Sequence, residues 1–405
     1  MTDTKSTLRC TNCGTDYGLD RMNYTCDRCF GLLEVIHHDI KDTWIDGNRE
    51  GVWRYKPLIY PGIEDKFIVT MGEGNTYHHR SQKVSQWVGM DEIFMKQEGN
   101  NPTGSFKDRG MTVAVSEARR LGAEATICAS TGNTSASSAA YSAMGGLTSY
   151  VLIPQGNVSR SKLAQAVAYN SKVVNVPGDF DRAMDTLRQA VKTNPGLYMM
   201  NSVNPWRLEG QKSITFEIVE KLDQVDFISV PAGNLGNTAA MGKALSELKS
   251  IGALDEIPRI ISVQAEGANP FYRFWKGMTK SVVPVKADTI ATAIKIGNPV
   301  NWKKAIKAIN FSNGIVTSVT DEEIMSAKAV IDASGIGCEP ASAASVAGVR
   351  KLLQEGSLDR KDRVVSVLTG NILKDIDAIK ATARELTFQD LMDMAEIPAS
   401  KSVIP

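Results

Sequence analysis

The sequence predicts an α/β protein: two three-layer α/β lobes facing each other across a cleft, with a small module at the N-terminus. Three observations predict this. Short apolar runs alternate with amphipathic segments over most of the chain, the signature of parallel sheets covered by helices. The 405 residues suffice for two to three domains of ordinary size. Four of the six cysteines fall within the first 29 residues, apart from that alternation.

The elements follow in order. Cys10-Thr-Asn-Cys13 and Cys26-Asp-Arg-Cys29 form two C-x-x-C knuckles. Each knuckle can bring two thiolates to one metal, and four thiolates suit a closed structural zinc site. Gly14, Gly18 and Gly31 supply the turns, so residues 1–40 read as a zinc-ribbon-like module. With cysteine in all four positions, no catalysis is expected there. His37 and His38 read as solvated surface histidines, not as extra ligands. A linker near 40–66 leads into the alternation. Strands are expected at 93–97, 125–130, 149–154, 172–177, 227–232, 259–265 and 364–370, each a short apolar run. Between them, apolar residues recur at helical spacing over 107–121, 132–145, 159–169, 180–193, 210–222, 237–250, 321–334 and 342–355. In such folds ligands bind beyond the C-terminal ends of the strands.

Composition narrows the function. Lys plus Arg number 46 against 45 acids, a formal net charge of +1, which argues against a nucleic acid or a membrane surface recognised through bulk charge. The segment MTDTKSTLRC has no apolar core, so a signal peptide is not expected, and no stretch approaches the roughly 20 apolar residues of a membrane helix. Residues 125–159 carry no charge but are rich in Ser, Thr, Gly and Asn, as suits a buried region lining a polar site. Cys128 and Cys338 read as reduced core thiols, and the cysteine usage fits a reducing cytoplasm. Histidine occurs only at 37, 38, 78 and 79. Beyond residue 79 the chemistry must therefore rely on lysine, carboxylates, hydroxyls, backbone amides or a borrowed cofactor.

Four motifs fall at strand ends. In NPTGSFKDRG (101–110), a loop delivers Ser105 and Lys107 to a helix start, where the partial positive charge disfavours the ammonium form. Ser130-Thr131-Gly132-Asn133-Thr134 offers close backbone approach and an amide that can donate and accept. Gly233-Asn234-Leu235-Gly236-Asn237 follows a strand and opens a helix, so its amides make an anion cup. It lacks the Walker lysine and the dinucleotide spacing, which leaves a small cofactor phosphate. Thr369 presents a hydroxyl at the end of the last strand. Lysine, anion cup, asparagine and hydroxyl together are what pyridoxal 5'-phosphate requires.

Seven motifs in one order, NPTGSFKDRGM, ASTGNTSAS, NSVNPWRLEGQK, PAGNLGN, IKIGNPVNW, CEPASAA and LTGNILKD, resemble threonine synthase, a fold type II pyridoxal-phosphate enzyme, over about residues 57–375. The resemblance implies a large α/β domain (41–110 and 195–405), a small one (111–194) and the cofactor in the cleft between them. It implies that Lys107 holds the cofactor covalently, that Asn133 contacts its ring hydroxyl, that 233–237 grips its phosphate and that Thr369 meets its pyridine nitrogen. It also implies O-phospho-L-homoserine as substrate, with L-threonine and phosphate as products. The substrate phosphate would be held by Thr134, Lys162, Asn201, Ser202 and Arg207, with Arg160 able to share the role of Lys162 and Asn234 near the boundary between the two phosphates. Glu73 and Glu339 would order loops around the cofactor, and His78 and His79 would be structural or solvated. Fold type II enzymes are commonly dimers, so a homodimer is expected by analogy. The nearest rival, a threonine or serine dehydratase of the same fold, needs no second anion site. A cysteate synthase is disfavoured by the intact NPTGSFKDRG. A zinc-ribbon adaptor carrying a degenerate enzyme domain is the rival from another class.

Overall fold

The computed structural model describes residues 5–38, 40, 42–155, 160–380 and 387, of which 160–162 and 380 are described by backbone alone. The chain opens with β1 (Ser6–Cys10), β2 (Asp16–Tyr17) and β3 (Leu33–His37), an antiparallel sheet ordered β2-β1-β3. It continues through α1 (Lys56–Ile59), β4 (His78–Arg80), α2 (Gln82–Val88) and β5 (Ile93–Gln97), then crosses into a smaller lobe. That lobe runs α3 (Lys107–Arg120), β6 (Ala125–Ala129), α4 (Asn133–Met144), β7 (Thr148–Pro154), α5 (Arg160–Ala168), β8 (Lys172–Val176), α6 (Phe180–Thr193) and β9 (Leu197–Met199). The return contributes α7 (Pro205–Gln211), α8 (Ser213–Lys221), β10 (Phe227–Pro231), α9 (Gly236–Ser250), β11 (Arg259–Ala265), α10 (Pro270–Trp275), α11 (Trp302–Phe311), β12 (Ile315–Val319), α12 (Asp321–Asp332), α13 (Pro340–Gln354), β13 (Val364–Leu368) and α14 (Ile376–Lys380).

Two parallel sheets carry the body. The smaller is ordered β8-β7-β6-β9. The larger is ordered β12-β11-β10-β13-β5-β4, parallel except for the edge strand β4. The central strands β5, β6, β10 and β13 are buried along their whole length. Covered on both faces, they read as continuous apolar runs, which is why sequence locates them to within two residues.

Among the departures from the sequence expectation are three strands of the two parallel sheets, the helices α2, α10 and α11, which that expectation does not include, and the helix around Lys212. β4 is a polar His-His-Arg edge, β9 is three residues long, and Thr317 and Ser318 interrupt the apolar run of β12. The helix expected over 210–222 begins at Pro205 and divides at Lys212 into α7 and α8. Asn204 caps α7, its side chain accepting from Trp206 N–H at 3.0 Å, and Pro205 supplies the pre-set first turn. Every residue of α7 is buried, so no amphipathic stripe marks it. His37 also departs from expectation. It is buried, not solvated, between Ser6 and Glu209.

Candidate active site

A cleft of about 830 Å³ opens between the two sheets, beyond the ends of β6, β10 and β13. It gathers Lys107, Asn133, Thr134, Asn201, Ser202, Arg207, the 233–237 loop, Glu339 and Thr369 from six separate segments. The side chains of Lys162 and Arg160 lie outside the described residues.

Lys107 is the first residue of α3. The loop before it is stitched to the end of β13: Phe106 N–H donates to Thr369 O (3.0 Å) and Asn371 N–H to Gly104 O (2.9 Å). Sequence-distant Lys107 and Thr369 are thereby set side by side. The neighbouring Asp108 is buried and accepts from Thr103 N–H, Thr103 Oγ1 and Ser137 Oγ, which ties the loop to α4. The Lys107 amine touches the cleft yet is closely surrounded by protein. Burial, and secondarily the Arg207 guanidinium, pull its pKa down to about 7 against the opposing pull of Glu339. Desolvation is thus the larger cause, beyond the helix-end effect anticipated from sequence.

Asn133 starts α4 directly after β6. Its Nδ2 donates to both carboxylate oxygens of Glu339, at 3.0 Å each. Burial raises the Glu339 carboxyl above its ordinary range, and the Asn133 contact opposes that rise. Thr369 Oγ1 lies 3.0 Å from Ser342 Oγ, which accepts Gly370 N–H at 2.9 Å. Ser342 can direct its own proton to Thr369, leaving the Thr369 proton free for a ligand. Ser342 lies inside CEPASAA and could have been singled out there.

The loop between β10 and α9 turns through Leu235, whose φ of 63° is left-handed. Gly233 is required by close approach, because a Cβ there would lie 3.0 Å from Ile294 Cα. Both amide atoms of buried Asn237 lack a partner, as do Gln211 Oε1, Asn301 Oδ1 and Ser105 Oγ. Buried polar atoms are normally satisfied, and Asn237 and Gln211, which line the cleft, fit a polar ligand with several oxygens. The amine, the anion cup and the Thr369 hydroxyl together fit pyridoxal phosphate.

On α7, packed against α3, Arg207 is 2% exposed, and among the described residues no carboxylate pairs with it. Nη1 donates to Met200 O (2.9 Å), while Nε has no partner. Burial lowers its pKa to about 10, so it stays cationic at neutral pH. A buried cation without a counter-ion is costly and marks a place for an anion. Asn201 spends its amide on both backbone groups of Ala129 (3.0 and 2.9 Å), bracing β6. Ser202 Oγ accepts from Asn234 Nδ2 at 3.4 Å, linking this region to the anion cup.

The family described as pyridoxal-phosphate dependent enzyme matches residues 69–370. The threonine synthase of Methanocaldococcus jannaschii is 48% identical over 93% of this chain and 95% of its own length. The threonine synthase of Methanosarcina acetivorans is 43% identical over 95% of this chain and 96% of its own. The chain belongs to the threonine synthase family. Threonine synthase from Escherichia coli superposes with a TM-score of 0.71 over 97% of this chain and 95% of that one, at 19% identity. A tomato (Solanum lycopersicum) threonine deaminase superposes at 0.63 over 82% of this chain and 89% of that one, at 20% identity. Both solved structures share the fold. As in other threonine synthases, the cofactor is pyridoxal phosphate.

This threonine synthase family member also carries a second ligand cluster. The four sulfurs of Cys10, Cys13, Cys26 and Cys29 lie within 4.8 Å of one another. Tetrahedral coordination at the usual zinc–sulfur distance needs about 3.8 Å between sulfurs. The two knuckles match: Asn12 N–H points at Cys10 Sγ and Arg28 N–H at Cys26 Sγ, each at 3.4 Å. No helix among the described residues is long and apolar enough to cross a membrane.

Proposed function

We propose that the protein converts O-phospho-L-homoserine and water to L-threonine and phosphate. The observation that carries this reading is buried, uncompensated Arg207, which lines the same cleft as Lys107 from α7, a different segment from the anion cup at 233–237. One cleft then offers two anion sites, one for the cofactor phosphate and one for the phosphate that leaves.

Bound pyridoxal phosphate supplies an electron sink for carbanionic character on the substrate. The protein's own residues do the rest. Lys107 would hold the cofactor, and its depressed basicity suits the freed amine to remove protons from the substrate Cα and Cβ as phosphate leaves Cγ, then to deliver protons to Cγ and, once water has added its hydroxyl at Cβ, back to Cα. The amides of Gly233–Asn237 grip the cofactor phosphate at the N-terminus of α9. Asn133, held by Glu339, faces the ring hydroxyl. Thr369, supported by Ser342, faces the pyridine nitrogen. Arg207 pairs with the substrate phosphate through its fork of donors, joined by Thr134, Lys162, Asn201 and Ser202. Asn201 serves chiefly by fixing the end of β6.

In a division into a large domain (41–110, 195–405) and a small one (111–194), Lys107, Arg207 and the anion cup belong to the large domain, and Asn133 and Thr134 face them from the small one. The four-cysteine cluster holds structural zinc, and the protein is a cytoplasmic homodimer; sedimentation at equilibrium measures the latter. The deciding assay offers O-phospho-L-homoserine and follows phosphate and threonine together. Stoichiometric release of both is expected, whereas 2-oxobutyrate from threonine as the main activity would replace this reading with a dehydratase. Arg207→Ala should raise the inhibition constant of inorganic phosphate by at least about tenfold, the loss of one charge-assisted pair.

A further inference from the structure

The N-terminal module is joined to the body through buried polar groups that converge on the mounting of Arg207. On one side, Tyr24 is 9% exposed, and its hydroxyl accepts the N–H of Met199 at 2.8 Å. The next residue, Met200, supplies the carbonyl that receives Arg207 Nη1. On the other side, His37 at the end of β3 sits against Glu209, two residues beyond Arg207 on α7. His37 Nε2 and Glu209 Oε2 are 2.9 Å apart, with both side chains essentially inaccessible. Because the partner is a carboxylate, Nε2–H donates and Nδ1 accepts from Ser6 Oγ at 2.9 Å.

The surrounding charges fix this contact. Lys212 bonds both Glu209 and Glu247 at 2.6 Å, and Lys243 pairs with Glu209. Lys243 and Lys304 also donate to the β3 carbonyls of Val35 (2.5 Å) and Leu33 (2.6 Å). Two carboxylates meet two ammonium groups, so His37 remains neutral. Although His37, Glu209 and Glu247 cluster closely enough for a metal, those ammonium groups already neutralise the carboxylates.

We propose that Tyr24 and His37 are positioning residues: the N-terminal module clamps both ends of the segment 199–209 and so fixes Arg207 for the substrate phosphate. This rests on the reading of Arg207 as a phosphate ligand. The physical need is specific. A buried guanidinium with no carboxylate partner gains from any shift toward water, so its place must be imposed by neighbours that cannot relax. The module imposes it from both flanks without entering the cleft.

The test compares Tyr24→Phe, His37→Ala, His37→Gln and Arg207→Ala as full-length holoenzyme. Measured are KM and kcat with O-phospho-L-homoserine, the inhibition constant of inorganic phosphate, the dissociation constant of L-threonine, and the cofactor absorbance. Tyr24→Phe and His37→Ala should raise KM and the phosphate inhibition constant together by about tenfold. Their kcat, threonine affinity and cofactor spectrum should stay within about twofold. His37→Gln, which keeps a donor toward Glu209, should recover most of the loss. If Arg207→Ala weakens phosphate while Tyr24→Phe and both His37 variants leave it unchanged, the clamp is refuted and the phosphate site stands. If Arg207→Ala leaves phosphate binding unchanged, the phosphate-site reading fails, and the clamp with it. If threonine and phosphate binding weaken equally, the module is a general support and the proposal is overturned. Should His37→Ala not fold, Tyr24→Phe and His37→Gln decide.

Discussion

At the scale of single residues, the chemistry turns on how burial changes ordinary side chains. Lys107 differs from the protein's exposed lysines in that its amine is held beside Arg207 and largely out of water. A pKa of about 7 leaves about half the amine neutral at pH 7, against about three in ten thousand for an ordinary lysine. Only the neutral amine can attack the aldehyde of the cofactor. The rate of pyridoxal phosphate capture by the apoprotein should therefore rise about tenfold per pH unit below pH 7 and flatten above it, as read by stopped-flow absorbance. A rise that continued toward pH 10 would mean that the amine is not depressed. Borohydride reduction of the holoenzyme followed by peptide mapping should place the label on Lys107, and Lys107→Ala should carry none. Asn133, Thr369 and the 233–237 loop were legible because each lies in a compact motif at a strand end. Ser342 and Asp108 lie in such motifs too, but their contacts with Thr369 and Ser137 join segments distant in sequence, so what they support shows only in the fold.

At the scale of elements, two helices bring the amine and the guanidinium together. α3 carries Lys107 and α7 carries Arg207, and they meet at glycines on both sides. A Cβ on Gly110 would lie 2.7 Å from Arg207 O, and one on Gly210 would lie 1.7 Å from Arg109 O. Gly210→Ala must push the helices apart. Overpacking of this kind costs about 1–3 kcal/mol or more, so a lowered melting temperature is expected together with a fall in kcat/KM of more than tenfold. A melt and kinetics matching the parent protein would show that the crossing has slack. Close by, Arg109 bonds Glu98, Glu217, Ser213 and Thr76, while Lys96 bonds Glu217 at 2.7 Å, all buried. Glu217→Gln leaves two buried cations short of charge and should destabilise by about 3–5 kcal/mol in chemical denaturation. Sequence announced α3 by its length and the Pro-Gly turn before it, although Asp108–Ala118 are all buried. It concealed α7, because a helix buried all round has no stripe to find.

At the scale of the whole molecule, a zinc-ribbon-like module, two parallel sheets and the cleft between them form one working unit. Metal analysis should find about one zinc per chain, and Cys26→Ser should abolish it and lower the melting temperature. Sequence alone determined the α/β class, most of the central strands, the cysteine quartet and the motifs that resemble threonine synthase. These are local properties: apolar runs, turn residues and short spacings show in neighbouring letters. The absence of histidine beyond residue 79 already directed attention to lysine and a borrowed cofactor. Only the tertiary structure decided what those motifs face. It joined Lys107 to Thr369 through a loop stitched to β13, left Arg207 buried without a counter-ion, and turned His37 from an expected surface residue into a buried partner of Glu209. Such facts depend on which distant groups exclude water from one another, and desolvation is a property of the packed molecule that no stretch of sequence carries by itself.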